Sequence, residues 1–371
     1  MHQAQRGISL IELMVSLALG LGIVASTGYV YLGSKQTHSL QEAESALQQN
    51  ARFAFEKLSR DVRQSGDLGS TLAGCNIRSF TNVLNDGSAR AAIGSDLYDI
   101  PLEGFDDPAS APDGIDAAAY LKGDVLKIAH LEHENRAPET LLDITGHNAN
   151  SATMELKKTS AHGLADGDIV VAIQNDCSHA AMFQITQLSD NGAKLKLVHN
   201  TGNSTQPGNC SKTLGPVTPP TSRCNAPAYT FEPGSKLVKL DQQQAATTLR
   251  YFIGKGDGGQ PALLRQSGSD APEILVDGAQ DLQLRYGIDL DGDNNVDRYV
   301  AASEVETLAP GDSSKSKWRR VLAVRASLLL ASEREVGSSP QHIIFNGEEI
   351  RPTDRRLRQV LTATIAIRNR L

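Results

Sequence analysis

A single carboxylate, Glu12, stands inside an apolar run from Ile8 to Leu32 that holds no Lys, Arg or Asp. At membrane depth an acid costs roughly 2.5 to 3.5 kcal/mol on insertion scales, so one kept there is expected to have a cationic partner or a task. The chemistry open to it is ion pairing in a low-dielectric medium, with an amine as counter-charge. A second constellation lies far downstream, where Asp289, Asp291, Asp293, Asn295 and Asp297 alternate along the chain. Alternating oxygen side chains are how calcium loops wrap their ion, as in the first half of an EF-hand. Here Gly292 takes the fourth place rather than the sixth, Asn294 takes the sixth, and no Glu stands at the twelfth, so the stretch is not an EF-hand. Two readings remain: a Ca2+ site with these five residues as ligands, or a solvated Asp/Asn/Gly turn joining two strands.

Four cysteines, Cys75, Cys177, Cys210 and Cys224, permit three pairings. Cys210 and Cys224 bracket a stretch rich in Gly, Pro, Thr and Ser that lacks hydrophobic periodicity, which favours local closure and leaves Cys75 with Cys177. Closing a loop of that size restricts the unfolded chain by about 3 kcal/mol. A zinc site would want a C-x2-C pair, and there is none. Two other patterns carry little weight. Gly254-Lys255-Gly256-Asp257-Gly258-Gly259 fits G-x-G-x-x-G, but Gln260-Pro261 follows where a dinucleotide site needs a helix, so a hairpin loop is expected. His130-Leu131-Glu132-His133-Glu134 offers metal-binding types at a helical spacing, yet it follows a strand-like Val125-Leu126-Lys127-Ile128 and reads as a polar strand end. No G-x-S-x-G, H-E-x-x-H or Walker loop is present, and the expectation is a protein without enzymatic activity.

These residues depend on the elements that carry them. A helix over the 25 residues from Ile8 to Leu32 would be about 37 Å long, enough for a ~30 Å hydrocarbon core. The run is too long for the apolar region of a cleaved signal peptide. Arg6 and His2 precede it and no acid does, which places the N-terminus in the cytoplasm and the rest of the chain outside it. That placement makes disulfides the default state of the cysteines. Beyond the span, Leu40, Ala43, Leu47, Ala51, Ala54, Leu58 and Val62 recur at spacings of three and four, the stripe of an amphipathic helix. Pro is absent from Ile8 to Arg63 and Gly66 offers a stop, so one continuous helix is expected.

Strand patterns follow at Asp124 to His130, Ile169 to Gln174, Met182 to Leu188, Lys194 to Val198 and Thr248 to Ile253. Longer alternating ones run over Asp281 to Tyr286, Val321 to Leu330 and Val360 to Asn369, suited to an antiparallel sheet. Gly87 to Gly114 and Thr201 to Pro227 read as long loops. The net charge of −7 opposes a generally basic nucleic-acid surface, and nucleic acid is not indicated as a partner. The expected fold class is α+β: a long N-terminal helix packed on an antiparallel sheet with loop insertions.

Gly7-Ile8-Ser9-Leu10-Ile11-Glu12 resembles the class III signal of type IV pilins and type II secretion pseudopilins. The resemblance implies that a prepilin peptidase cuts between Gly7 and Ile8 and methylates the new amino terminus of Ile8. It also implies that Glu12, then the fifth residue, pairs with the N-terminal amine of a neighbouring subunit. The usual aromatic first residue is replaced by Ile8. In the C-terminal third, Tyr286-Gly287-Ile288-Asp289-Leu290-Asp291-Gly292-Asp293, Asp297-Arg298-Tyr299, Trp318 to Arg325 and Arg355 to Arg370 resemble the PilW family of type IV pilus assembly proteins. No family motif is recognisable between Gly74 and Lys239.

The domain plan is then a leader over residues 1–7, a transmembrane helix over 8–34, an amphipathic helix over 35–65 and a β-rich extracytoplasmic domain, with the type IV pilin-like fold, over 66–371. The resemblance implies a minor pilin of a priming or tip complex, supporting pilus biogenesis and through it twitching motility, adhesion or DNA uptake. Implied partners are other minor and major pilins, the prepilin peptidase and the inner-membrane assembly platform. The implied location is the inner membrane of a Gram-negative bacterium and then the pilus. A minor pseudopilin of type II secretion and a membrane-anchored periplasmic binding or adhesive module are the alternatives.

Overall fold

The computed structural model describes residues 10–65, 77, 79–85, 100–130, 141–158, 162–192, 194–202, 206–217, 224–240, 247–308 and 314–367. Gly7, Ile8, Cys75 and residues 131–134 lie outside them. Two compact units divide the chain: the described residues up to Asn50 with Leu330–Gln359, and Ala51–Leu329 with the residues from Val360 onward.

One helix, α1, runs unbroken over the 54 residues Leu10–Arg63. With no proline to remove a ladder bond, nothing interrupts it until Gln64 and Ser65 turn back onto Arg60 and Val62. The amphipathic stripe is buried from its third member on: Leu47, Ala51, Ala54, Leu58 and Val62 are buried, whereas Leu40 keeps 39% of its surface.

In the larger unit, a five-stranded antiparallel sheet has the order β13-β12-β11-β3-β2, from β2 (Leu102–Phe105), β3 (Tyr120–His130), β11 (Thr247–Lys255), β12 (Pro261–Ser267) and β13 (Glu273–Asp277). β2 falls inside a stretch expected to be loop. Its four residues are flanked by proline and aspartates and show no propensity of their own, and pairing with β3 makes the strand.

β3 and β11 are hydrogen-bonded neighbours from His130↔Thr247 onward, yet more than a hundred residues separate them in sequence. That excursion builds most of an eight-stranded sheet of order β1-β7-β6-β10-β4-β5-β9-β8. Its strands are β1 (Ser79–Asn82), β4 (Leu141–Asn148), β5 (Thr153–Leu156), β6 (Ile169–Ile173), β7 (His179–Gln184), β8 (Gln187–Asp190), β9 (Leu195–Val198) and β10 (Lys236–Leu240). The expected elaboration of loops is thus an inserted sheet. Ile144, Met154, Phe183, Leu197 and Leu237 share one core, so the sheet curls around its own interior. Val171, Ile173, Ala180 and Met182 on its other face meet Phe80 and Ile77, leaving β6 and β7 buried on both sides. The single strand expected over Met182 to Leu188 is broken at Ile185–Thr186, where the chain changes partner. Ile185 donates to Asp168 O and Thr186 to Val198 O, so β7 pairs with β6 and β8 with β9. β1 joins β7 in parallel, a departure from the antiparallel expectation.

The long alternating patterns near the C-terminus form a four-stranded sheet of order β15-β14-β16-β19, from β14 (Ala279–Ile288), β15 (Arg298–Val300), β16 (Val321–Glu335) and β19 (Arg356–Ala366). Leu282, Leu284 and Tyr286 are buried at period two. Leu322, Val324, Ala326, Leu328 and Leu330 are buried too, but so are Val321, Ala323 and Leu329 between them, so most of β16 is covered on both faces. Two short helices, α2 (Ala302–Thr307) and α3 (Ser314–Arg319), join β15 to β16. Trp318 of α3 is buried edge-on against Tyr286 at 4.9 Å. In the smaller unit, β17 (Ile343–Phe345) and β18 (Glu348–Ile350) make a hairpin whose turn residues Asn346 and Gly347 both have positive φ, as a two-residue primed turn requires.

Candidate functional site

The N-terminal half of α1 presents its apolar side chains to solvent all round. Leu13, Leu17, Leu21, Val24 and Leu32 each keep more than half of their surface, which no water-soluble helix of this length tolerates unless something apolar surrounds it. Length and composition suffice to cross a bilayer. Glu12 lies in the first turn and is exposed within that surface, with Ser16 Oγ donating to its backbone carbonyl at 2.7 Å. The charge therefore points to whatever surrounds the helix, the disposition an intermolecular ion pair needs.

At its other end α1 is bolted to the five-stranded sheet by a buried polar knot that no local pattern announces. Asp61, 4% exposed, accepts from Tyr251 Oη of β11 at 2.5 Å and from Arg265 Nε of β12 at 2.9 Å, both on Oδ2. Burial and the adjacent Asp61 push the Tyr251 hydroxyl far up, so it stays a donor. Burial works against the Arg265 charge, but the bond to Asp61 outweighs it and raises that pKa.

The acidic loop closes the hairpin between β14 and β15. Asp289, Asp291 and Asp297 bring carboxylate oxygens within 4.8 Å of one another, and they are the one such trio of metal-binding types among the described residues. Asp289 is buried and accepts from the N–H groups of Gly292 at 2.6 Å and Asn294 at 3.1 Å; Asp297 accepts from Leu290 N–H at 2.7 Å. Positive φ at Gly292 and Asn294 lets the loop fold back over them. Asp293 and Asn295 turn to each other instead. Asn295 donates both its backbone N–H and Nδ2 to Asp293, bonds that hold the Asp293 carboxyl below its ordinary pKa. Of the five expected ligands the fold assembles three. Hard carboxylate oxygens at that spacing fit Ca2+, which would draw its remaining ligands from carbonyls and water.

Cys210 and Cys224 are disulfide-bonded to each other, as their loop suggested. Cys177 is also disulfide-bonded, while its expected partner Cys75 is outside the described residues. The glycine-rich Gly254 to Gly259 segment is the turn from β11 to β12, with Gly258 and Gly259 at positive φ and no helix behind it. His130 is the last residue of β3.

Inside the inserted sheet sits an aromatic and histidine cluster for which the sequence held no periodic signal. His147 Nε2 and His199 Nε2 face each other at 3.1 Å, and Phe231 N–H donates to His147 Nδ1. The proton between the two rings therefore belongs to His147, and the one on His199 lies on Nδ1. Burial lowers the pKa of His147 to about 4; burial, then the neighbouring His147, lowers that of His199 to about 3.

An N-terminal apolar helix and a sheet-rich body make this an α+β protein, and the exposed helix fits a membrane-anchored one. The family model for Type IV Pilus-assembly protein W, PilW, matches residues 250–369, which run from β11 through the acidic loop to the end of the four-stranded sheet. This third of the chain thus carries the PilW family pattern. No curated protein matches the chain.

Proposed function

We propose that the chain is a minor pilin, made as a prepilin, held in the inner membrane of a Gram-negative bacterium by α1 and then drawn into a pilus as a low-copy subunit of a priming or tip complex. The observation that carries the reading is the pairing of the PilW match with a single helix whose lower half is wholly exposed and apolar. In a pilus the lower half would exchange lipid for the helices of neighbouring subunits. Cleavage between Gly7 and Ile8 would free the amine, methylated on Ile8, that Glu12 of an adjoining subunit accepts, offsetting the cost of a lone buried charge. The role is structural, with no reaction catalysed. Partners are other pilins, the prepilin peptidase and the assembly platform, and Ca2+ at the acidic loop would brace the β14–β15 hairpin. Piliation, twitching, adhesion or DNA uptake would follow from assembly.

Deleting the gene and restoring it as wild type or as Glu12→Ala tests this. Surface pili should be lost on deletion and return with the wild type, while the variant stays in the membrane without entering fibres. Unchanged piliation with loss of secreted enzymes would move the protein to a secretion pseudopilus, and full function of Glu12→Ala would make it a plain membrane-anchored module.

A further inference from the structure

Two kinds of side chain mark the two ends of the apolar half of α1. Near its start the single acid Glu12 stands in the first turn. Near its far end Tyr29 and Tyr31 are 82% and 68% exposed, and Lys35 and His38 follow within two turns. Between Glu12 and Tyr29 there is no charged residue, no Tyr and no Trp.

The separation of these groups matches a membrane. Because the helix is unbroken, the tyrosines stand 17 and 19 residues beyond Glu12. That is about 26 and 28 Å along the axis, against a hydrocarbon core of about 30 Å. Tyrosine has an apolar ring and a polar hydroxyl, and it settles at the boundary between hydrocarbon and headgroups. With the pair at the outer boundary, Glu12 comes within about 2 to 4 Å of the inner one, where its carboxylate reaches headgroups and water. Residues two apart point about 200° apart around a helix, so Tyr29 and Tyr31 hold the interface from opposite flanks. Hydrophobic length alone does not set this register. The run from Ile8 to Leu32 exceeds the core by about 7 Å, and that excess leaves room to slide or tilt.

We propose that Glu12 at one end and the Tyr29–Tyr31 pair at the other form a depth gauge that fixes the vertical register of α1 in the bilayer, the pair binding the outer lipid interface and the carboxylate the inner one. The inference rests on the membrane-anchored reading of α1. Sliding outward carries Glu12 into hydrocarbon and lifts the tyrosines into water. Sliding inward drags both hydroxyls and then Lys35 into hydrocarbon. Both displacements are uphill. The register also keeps the carboxylate hydrated until the subunit is drawn out, so its need for a cationic partner arises on extraction and not before.

The test uses the full-length chain in vesicles of phosphatidylethanolamine and phosphatidylglycerol. Among the described residues no cysteine is free, so a cysteine placed at Ser16 or Ile23 takes a nitroxide whose depth is read from its exposure to oxygen and to a water-soluble nickel chelate. Moving the pair down one turn, by Ala25→Tyr and Thr27→Tyr with Tyr29→Leu and Tyr31→Leu, should shift α1 outward by about 6 Å when Glu12→Leu is also present. The Ser16 label then approaches the midplane and the Ile23 label the outer surface. With Glu12 in place the shift should be smaller, because the two stops oppose each other. If the relocated tyrosines impair insertion, Tyr29→Leu with Tyr31→Leu alone should move both labels the other way, towards the inner leaflet. Equal depths in every variant, or a Ser16 label at the midplane of the wild type, would overturn the gauge. Labels open to the chelate at both sites would overturn the anchored reading along with it. Vesicle depth does not depend on piliation, so the pilus role can fail separately.

Discussion

Asp61→Ala should loosen α1 from the sheet that carries it. The substitution removes the acceptor shared by Tyr251 and Arg265 and leaves a guanidinium only 19% exposed without its nearest carboxylate. Breaking one side of a buried ion pair costs about 3 to 5 kcal/mol, because the remaining charge stays desolvated. Glu273, 3.8 Å from Arg265 Nη1 but 59% exposed, recovers only a fraction of that. Tyr251→Phe deletes one donor and keeps the Asp61–Arg265 pair, so its loss should be nearer 1 kcal/mol. For a body of this size the first loss lowers the melting midpoint by roughly 6 to 20 °C and the second by only a few. Calorimetry of the detergent-solubilised chain separates them, and the double variant should be less destabilised than the sum because both changes act on one oxygen. The same order should appear in the fraction of subunit entering fibres. An Asp61→Ala stability within about 1 kcal/mol of wild type would refute the view that this knot fastens the helix.

The paired histidines make stability pH-dependent. Their folded pKa values lie below the ordinary 6.5, so the unfolded chain binds more protons as pH falls, and stability present above pH 6.5 should drain away towards pH 4 and below. Asp124, raised to about 6 chiefly by burial, acts in the opposite sense, its contribution being lost as pH rises from 4 to 6. Melting of His199→Gln across this range should show a shallower acid limb, and an unchanged limb would count against the pair. Adding Ca2+ should raise the midpoint and EDTA lower it, with Asp289→Asn abolishing the difference; identical curves in both would leave the loop an ordinary turn. Replacing Cys210 and Cys224 together by Ser should cost about 3 kcal/mol, read by denaturant titration.

Features set by near neighbours in the chain were legible without coordinates. Absence of proline and a three-four apolar spacing produce α1, and strict alternation produces β14, β16 and β19, because period and breakers act through local backbone geometry. The Cys210–Cys224 closure and the hairpin turn at Gly258 belong to the same class. Glu12 was visible as a charge out of place, and the PilW blocks by their residues alone.

What tertiary structure decided involves residues that have no local reason to meet. Tyr251 reaches Asp61 across 190 positions and Arg265 across 204, and His199 meets His147 across 52. Such contacts follow from which strand lies beside which, and loop closure over long separations leaves no trace in local pattern. The inserted sheet was missed for that reason: strands were expected near Ile169, Met182 and Lys194, but which short strands pair is a long-range matter, and β6 and β7, buried on both faces, show no alternation. The carboxylates of the acidic loop alternate evenly in sequence, yet folding selects Asp289, Asp291 and Asp297 and turns Asp293 to Asn295, because backbone donors at Gly292, Asn294 and Leu290 decide where each side chain points. The sequence by itself thus determined the helix, its misplaced charge and the family of the C-terminal third, while only the packed chain determined which polar groups meet and which strand edge is left open.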